Sequence, residues 1–254
     1  RNIRKWIYNY NNDYILQTGF DNDIKNKYPS IYNFLLLFEN DLKVRADQGK
    51  NWWNLRACKY YNEFDYPEKI IWGLTADKWA FAYDNKQHYL PSNGYILTST
   101  TIPIKYLLGL LNSKVLKYYF SFIGVMTAGG AYTLKHGTIQ QLPIAIIDNK
   151  KSIISLVDYI LYLKNGENPS VSNLSSKEVI ATYFEKMIDT CVYELYFPEL
   201  LKKHNCQIIE YLGDLPELNV EMSEEQKMEA CKEVFDRLND ENHQVRINLE
   251  KMKE

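Results

Sequence analysis

The sequence predicts an α+β fold, in which a twisted mixed β-sheet with packed helices is followed by a C-terminal helical segment. Short runs rich in β-branched and aromatic residues lie within 69–99 and are separated by turn residues, as is typical of strands. An apolar run over 104–123 has the spacing of a long helix, and after Asn149 helical patterns dominate. The 254 residues, 46% of them hydrophobic, are enough to bury a large core.

The first 66 residues predict a strand or two, then a helix, then an irregular segment. Residues 1–20 alternate aromatic and polar side chains, which favours strands. Ser30 is a candidate helix cap, because apolar side chains follow it at helical spacing as far as Leu42. Residues 47–66 are polar and aromatic and show neither helical nor strand periodicity.

The sheet is predicted to begin just after Pro67. Residues 69–74 and 79–83 indicate two strands, and 84–86 has the composition of a turn. The chain is expected to return along 88–90 and to add a further strand over 94–99.

A single helix is predicted over 104–123. Lys114, Lys117 and Ser121 fall on its polar face. Its buried stripe is predicted to consist of Leu107, Leu108, Leu111, Val115, Tyr119 and Phe122. A loop containing Gly129 and Gly130 and short strands then lead to residue 147.

Helices are predicted over 152–163 and 177–197, separated by a loop rich in Gly, Pro, Ser and Asn and followed by Pro198. An acidic linker at 215–221 precedes a final charged helix from Ser223 to about Lys251. We therefore expect two parts: an α+β body over 1–150 and a helical C-terminal segment over 151–254.

The charge is divided between these parts. Residues 1–150 contain 18 basic and 12 acidic residues, a net charge of +6, whereas 151–254 contain 12 and 20, a net charge of −8. A basic surface suits a polyanion, although two ordinary solvated surfaces would show the same division. No apolar run reaches the length of a membrane span, and the four scattered cysteines favour a reducing compartment. The start at Arg1 suggests a piece of a longer protein.

The sequence offers little support for catalysis. It contains no Pro-Pro turn, no glycine-rich nucleotide loop and no histidine pair with zinc spacing. Acidic triplets at Asp23, Asp41 and Glu225 match part of a Mg-dependent nuclease site, but such triplets arise by chance in a chain this charged. We therefore predict no catalytic, cofactor-binding or metal-binding residue in this chain.

The remaining candidates suit binding. Arg56 and Lys59 are interleaved with aromatic residues, a pattern that fits phosphate contact and stacking, although the tryptophans beside them could equally form a core. Lys114 and Lys117 could reach phosphates or simply face solvent. In and after the glycine loop, hydroxyl and cationic side chains are suited to base edges, although a tight connection needs the same residues. These are Thr127, Tyr132, Thr133, Lys135 and His136.

Several motifs in the same order resemble the TaqI-like C-terminal specificity domain. They are Tyr-Pro-Ser-Ile-Tyr at 28–32, Trp-Trp-Asn-Leu-Arg-Ala-Cys-Lys-Tyr-Tyr at 52–61, Pro-Glu-Lys-Ile-Ile-Trp at 67–72, Tyr-Leu-Leu-Gly-Leu-Leu-Asn-Ser-Lys at 106–114, the two-glycine loop and Ile-Gln-Gln-Leu-Pro-Ile at 139–144. The resemblance covers about residues 1–200. It weakens after Tyr196, where the family's usual Gly-Leu-Thr is missing.

The resemblance implies that residues 1–150 are the DNA target recognition domain of an adenine-N6 methyltransferase or a type IIG restriction-modification enzyme. It implies sequence-specific recognition of double-stranded DNA, in the cytoplasm of a bacterium. The implied partner in the same polypeptide is an upstream methyltransferase domain that uses S-adenosylmethionine and flips an adenine, with Mg²⁺ if a nuclease domain is fused. Two alternatives stay open. One is a self-contained Mg-dependent nuclease, and the other is a protein- or glycan-binding module that uses exposed tryptophans.

Overall fold

A computed structural model describes residues 2–58, 60–127, 129–165 and 176–252, and it confirms the predicted α+β class. Short 3₁₀ turns occur at Tyr61–Asp65 and Ile209–Tyr211. The helices in the described residues are α1 (Ile24–Lys27), α2 (Pro29–Leu36), α3 (Glu39–Lys43), α4 (Ile104–Leu111), α5 (Lys114–Ile123), α6 (His136–Ile139), α7 (Lys151–Lys164), α8 (Ser176–Tyr196), α9 (Pro198–Lys203), α10 (Glu224–Leu238) and α11 (Gln244–Lys251). The strands are β1 (Lys69–Gly73), β2 (Thr75–Ala76), β3 (Ala82–Asp84), β4 (Gly94–Leu97), β5 (Val125–Met126) and β6 (Tyr132–Thr133).

Two compact units divide the chain. The first contains Arg1–Asn9, Pro67–Lys86 and Leu90–Glu254, and the second contains Tyr10–Tyr66 and Gln87–Tyr89. The predicted functional boundary near residue 150 stays a prediction. Helices on both sides of that residue contribute to the core of the first unit.

The first unit contains two small antiparallel sheets. Strand β1 lies between β3 and β4, with Ile71 paired to Ala82 on one side and to Ile96 on the other. The predicted return along 88–90 is wrong. Tyr89 belongs instead to the second unit, where its ring stacks on Phe64 at 4.7 Å. The second sheet has the order β2-β6-β5, and its strands are two residues long.

A buried ion pair locks β1 to β3. Lys69 Nζ lies 2.8 Å from Asp84 Oδ2, and both side chains are fully buried. Tyr8 donates its hydroxyl to Asp84 Oδ1 at 3.0 Å, which attaches the N-terminal segment to the same pair. That segment has isolated bridges instead of the predicted strands, and one of them joins Trp6 to Ala82 in parallel.

Helices α4, α7 and α8 form the centre of the core. Helix α7 packs along both α4 and α8, and seven of the eight residues of α4 are buried. Gly109 allows α4 and α7 to approach closely, because a Cβ atom there would lie 2.9 Å from Ile153 Cγ2. The observed bounds of α7 and α8 lie within one residue of the predicted helices at each end.

The prediction of one helix over 104–123 is wrong. Helix α4 ends just before Asn112, whose side chain accepts from Phe81 N at 3.1 Å and donates to Phe81 O at 2.9 Å. Ser113 then caps α5 by accepting from Leu116 N. The break rotates the apolar stripe, so that Phe120 is buried while Tyr119 and Phe122 are exposed.

Two further helix boundaries differ from the prediction. Pro29 is the first residue of α2, so the predicted cap at Ser30 is wrong. Ser223 does cap α10, with a capping box to Gln226, but the final helix is not continuous. It ends at Leu238, and His243 caps a separate α11.

In the second unit, polar side chains hold the irregular segment together. The side chain of Asn54 is fully buried and donates to the carbonyl oxygens of Thr18 and Asn22. The guanidinium of Arg45 donates to the carbonyl oxygens of Trp52 and Asn54. These bonds replace the regular ladder that this segment lacks.

Candidate nucleic-acid interface

The glycine loop forms a short hairpin at the edge of the second sheet. We call residues 125–133 the edge hairpin, of which Ala128 lies outside the described residues. Thr127 N donates to Ala131 O at 2.8 Å, and Gly130 N donates to Thr127 O at 2.9 Å. Gly130 has a φ of +78°, a left-handed conformation that favours glycine at this turn.

The core holds the base of this hairpin. Thr133 pairs with Thr75 of β2, and the next residue, Leu134, is fully buried. Leu134 N donates to Leu74 O at 2.7 Å, and the indole N–H of the buried Trp72 donates to Leu134 O at 2.9 Å. The position of the hairpin is therefore set by hydrogen bonds to β1 and to the segment that follows it.

Two of the predicted base-contacting residues are only half exposed. The ring of Tyr132 packs against Trp79 and Phe120, with centroids 6.0 and 6.1 Å away. Thr133 is half-buried in the pairing with β2 and β5. Both residues therefore support the hairpin, Tyr132 through its ring contacts and Thr133 through strand pairing.

The other predicted base-contacting residues are exposed. Thr127 lies at the turn, where its hydroxyl oxygen accepts from Ala131 N at 3.2 Å and keeps its own hydrogen to donate. Lys135 and His136 are exposed where β6 leads into the short α6. A Cβ atom at Gly129 would have nothing closer than 4.0 Å, so a partner can approach the backbone there.

Lys114 and Lys117 lie exposed on α5, the helix that leads directly into the edge hairpin. Asp189 accepts from the backbone N of Lys114 at 2.8 Å, and the ammonium of Lys114 lies 3.5 Å from the same carboxylate. Burial raises the pKa of Asp189, an effect that the Lys114 amide and the ammonium groups of Lys5 and Lys114 oppose. Lys117 carries its charge on the open face of the helix.

No acidic residue occurs in the sequence between Asp84 and Asp148. That stretch includes α5, the edge hairpin, Lys135 and His136, so the positive charge here is not offset by acidic side chains of the same segment. Strand β2, which pairs with β6, is followed directly by the exposed acidic residue Asp77. A surface of this composition attracts a polyanion.

Arg56 belongs to the second unit. It is exposed and lies 3.4 Å from the equally exposed Asp47, a pairing that water and salt weaken. Lys59 lies outside the described residues. Trp52 and Trp53 are half-buried and pack against the ring of Tyr32.

Sequence reasoning missed an apolar part of this surface. Tyr118, Phe122, Val125 and Met126 are all exposed, although Phe122 was expected in the core. The signal that could have revealed them is the Asn112–Ser113 pair, because a capping residue inside an apolar run restarts the helical phase.

The described residues contain no group of three or more His, Cys, Asp or Glu that could hold a metal ion. Asp23, from one of the acidic triplets, accepts from the backbone N of Asn26 and caps α1. None of the helices in the described part of the chain is long and apolar enough to cross a membrane.

Comparison with known proteins adds a family and two relatives. The family model of the TaqI-like C-terminal specificity domain matches residues 1–144. The type II methyltransferase M.MjaIV of Methanocaldococcus jannaschii is 30% identical over 153 residues, which cover 57% of this chain and 51% of that protein. A putative type II restriction enzyme and methyltransferase of the same organism, RM.MjaORFECS2P, is 29% identical over 154 residues, 57% of this chain and 12% of that protein. The chain thus spans about half of the first relative and a much smaller part of the second.

Proposed function

This chain belongs to the TaqI-like C-terminal specificity domain family, and we propose that it reads the DNA target of a restriction-modification methyltransferase. Its partner is double-stranded DNA. The methyl transfer takes place in a methyltransferase domain of the same polypeptide, which binds S-adenosylmethionine as the methyl donor. A nuclease domain, where one is fused, would use Mg²⁺ for cleavage. This chain contributes specificity and no catalytic residue.

The edge hairpin is the observation that carries this proposal. It presents Thr127 beside a glycine backbone, in a stretch without acidic residues, and the core fixes its base through Trp72 and Leu134. Reading bases requires polar groups held in a fixed position against the base edges of a groove. A loop that projects from a sheet edge and is anchored at its base meets that requirement.

The exposed side chains divide into two roles. Lys135 can donate to the N7 and O6 acceptors of guanine, and Thr127 and His136 can donate to or accept from base edges. Lys114, Lys117 and, on the second unit, Arg56 suit phosphates, which position a protein without reading sequence. Tyr132 and Thr133 contribute by supporting the hairpin, and their hydroxyl groups can donate to or accept from base edges.

Substitution of Lys135 tests the reading role. In the full-length enzyme we expect Lys135→Ala to relax discrimination at one base pair of the target, at a cost of about 1–3 kcal/mol. The measurement is the methylation rate on the target duplex and on every single-base variant of it. Lys232→Ala is the matched control, because Lys232 is exposed on α10 of the acidic C-terminal segment. Identical site preferences for the two variants would contradict the proposal.

Substitution of Lys117 tests the positioning role. Loss of one phosphate contact should weaken binding to all duplexes equally and reduce the slope of log K against log salt by about 1. Duplex binding by the full-length enzyme is measured over a range of salt concentrations for wild type, Lys117→Ala and Lys232→Ala. A slope unchanged in Lys117→Ala would exclude Lys117 from the interface.

A further inference from the structure

Four exposed apolar side chains continue from α5 into β5. Tyr118 is 68% exposed, Phe122 70%, Val125 63% and Met126 49%. The rings of Tyr118 and Phe122 lie edge to face with centroids 5.0 Å apart. Large apolar side chains exposed close together on a protein surface often mark an interaction site. We call these four residues the apolar wedge.

The wedge has a rigid support. The opposite face of α5 is buried through Val115, Leu116 and Phe120, and Ser113 caps the start of the helix. At its end, a Cβ atom on Gly124 would lie 2.1 Å from the ring of Phe120, so only glycine lets the chain turn over that ring into β5. The apolar side chains are therefore presented by a helix and a strand that the core holds in place.

The charges around the wedge indicate what it meets. Lys117 precedes Tyr118, and Lys114 lies about one helical turn earlier on α5. The sequence from 85 to 147 adds no acidic side chain. Asp189 of α8 lies 3.5 Å from the ammonium of Lys114, so Lys117 is the cation beside the apolar group for which the described residues show no acidic partner. A partner that matches this surface has both negative charge and flat apolar faces. The stacked bases of a duplex between two phosphate backbones have that combination, and apolar side chains are used elsewhere to separate base steps.

We propose that the apolar wedge enters a base step of the bound duplex beside the pairs read by the edge hairpin, so that the DNA is unstacked there. Phe122 and Met126 would contact the separated bases, while Lys114 and Lys117 hold the flanking phosphates. The inference rests on the proposed function. It implies a second source of specificity, because pyrimidine–purine steps are unstacked more easily than others.

The test uses the full-length enzyme and its target duplex, identified by sequencing methylated DNA from cells that express it. 2-Aminopurine replaces one base at a time across the target and five pairs on each side. The fluorescence of 2-aminopurine should increase at two positions when wild type binds. One is the target adenine, which is flipped, and the other is the base step that the wedge enters. In Phe122→Ser we expect the second signal to fall at least threefold and the target-adenine signal to remain. Leu200→Ser, exposed on α9, is the matched control and should keep both signals.

Each outcome separates the two proposals. A target-adenine signal in wild type without a second signal, or a second signal that persists in Phe122→Ser and Met126→Ser, overturns the wedge and leaves the recognition role standing. If Phe122→Ser leaves the second signal unchanged but makes the chain more sensitive to limited proteolysis, the patch packs against protein, and the wedge is again overturned. If the wild-type enzyme binds no duplex, the proposed function itself fails.

Discussion

Helices α4 and α5 come from one apolar run of sequence, yet the structure uses them in opposite ways. Seven of the eight residues of α4 are buried, whereas only Val115, Leu116 and Phe120 are buried among the ten residues of α5. The difference arises at Asn112 and Ser113, where hydrogen bonds to Phe81 and to the α5 backbone break the run. One run thus builds both the core and the platform from which the edge hairpin projects.

The comparison also separates what identifies the family from what reads DNA. The motif at 106–114 lies mainly in α4, and its side chains pack against α7 and α8. Apart from Lys114, which ends the motif, and Arg56 of the second unit, the exposed residues proposed to touch DNA follow that motif, between α5 and His136. The motif therefore contributes mainly to packing, and most of the proposed DNA contacts lie on the surface that follows it.

The largest expected effect is on stability and distinguishes the two helices directly. Leu108 is fully buried, so Leu108→Ala should lower the free energy of unfolding by about 2–5 kcal/mol. Phe122→Ala, on the exposed face of α5, should change it by less than about 0.5 kcal/mol. Urea denaturation followed by circular dichroism provides both values. Equal losses would mean that α5 is buried as deeply as α4.

Two glycines provide the next comparison. Gly109→Val forces a side chain against Ile153 and Val157 and should cost about 1–3 kcal/mol of stability through overpacking. Gly129→Val has open space around it and should leave stability unchanged, but its side chain should hinder the approach of DNA and weaken binding. Thermal unfolding and duplex binding are measured on both variants. A destabilised Gly129→Val with unaltered DNA binding would reverse the assignment of the hairpin as surface.

Two buried tryptophans test the anchoring of the hairpin. Trp72 donates to Leu134 O, whereas no partner of Trp6 Nε1 is found among the described residues. Trp72→Phe should therefore cost about 1 kcal/mol more than Trp6→Phe, since both lose similar volume but only one leaves a carbonyl unsatisfied. Amide hydrogen exchange should also show faster exchange at Leu134 in Trp72→Phe. Equal stability losses in the two variants would argue against the anchor.

The smallest expected effect depends on pH. Burial acts to raise the pKa of Glu185, but the ammonium groups of Lys5 and Lys164 outweigh it and lower the pKa below 4.5. The stability from this carboxylate is thus present above about pH 4.5 and is lost as pH falls through the lowered pKa. Glu185→Gln should be less stable than wild type at pH 7, by about 1 kcal/mol or less. The difference should shrink below pH 4.5 in urea titrations, and a constant difference down to pH 3 would contradict it.

Prediction from sequence succeeded where the pattern was long or the residue type was decisive. Helices α7 and α8 were located almost to the residue, because their apolar periodicity extends over several turns. Strand β1 was located as well, but the strands of the second sheet were not located individually, since two-residue strands such as β5 and β6 leave almost no periodicity. The exposed position of Lys135 agreed with expectation, while the support that Tyr132 gives to the hairpin needed the rings of Trp79 and Phe120.

The sequence by itself determined the α+β class, the family and the basic charge of the stretch that includes the edge hairpin, because periodicity, motif order and ionisable side chains are properties of the chain alone. Only the tertiary structure decided which side of α5 faces water and how the hairpin is held. Those outcomes depend on partners far away in sequence: Phe81 for Asn112, Trp72 for Leu134 and Asp189 for Lys114. A hydrogen bond between distant residues leaves no local pattern, so its consequence for a surface appears only when the chain is folded.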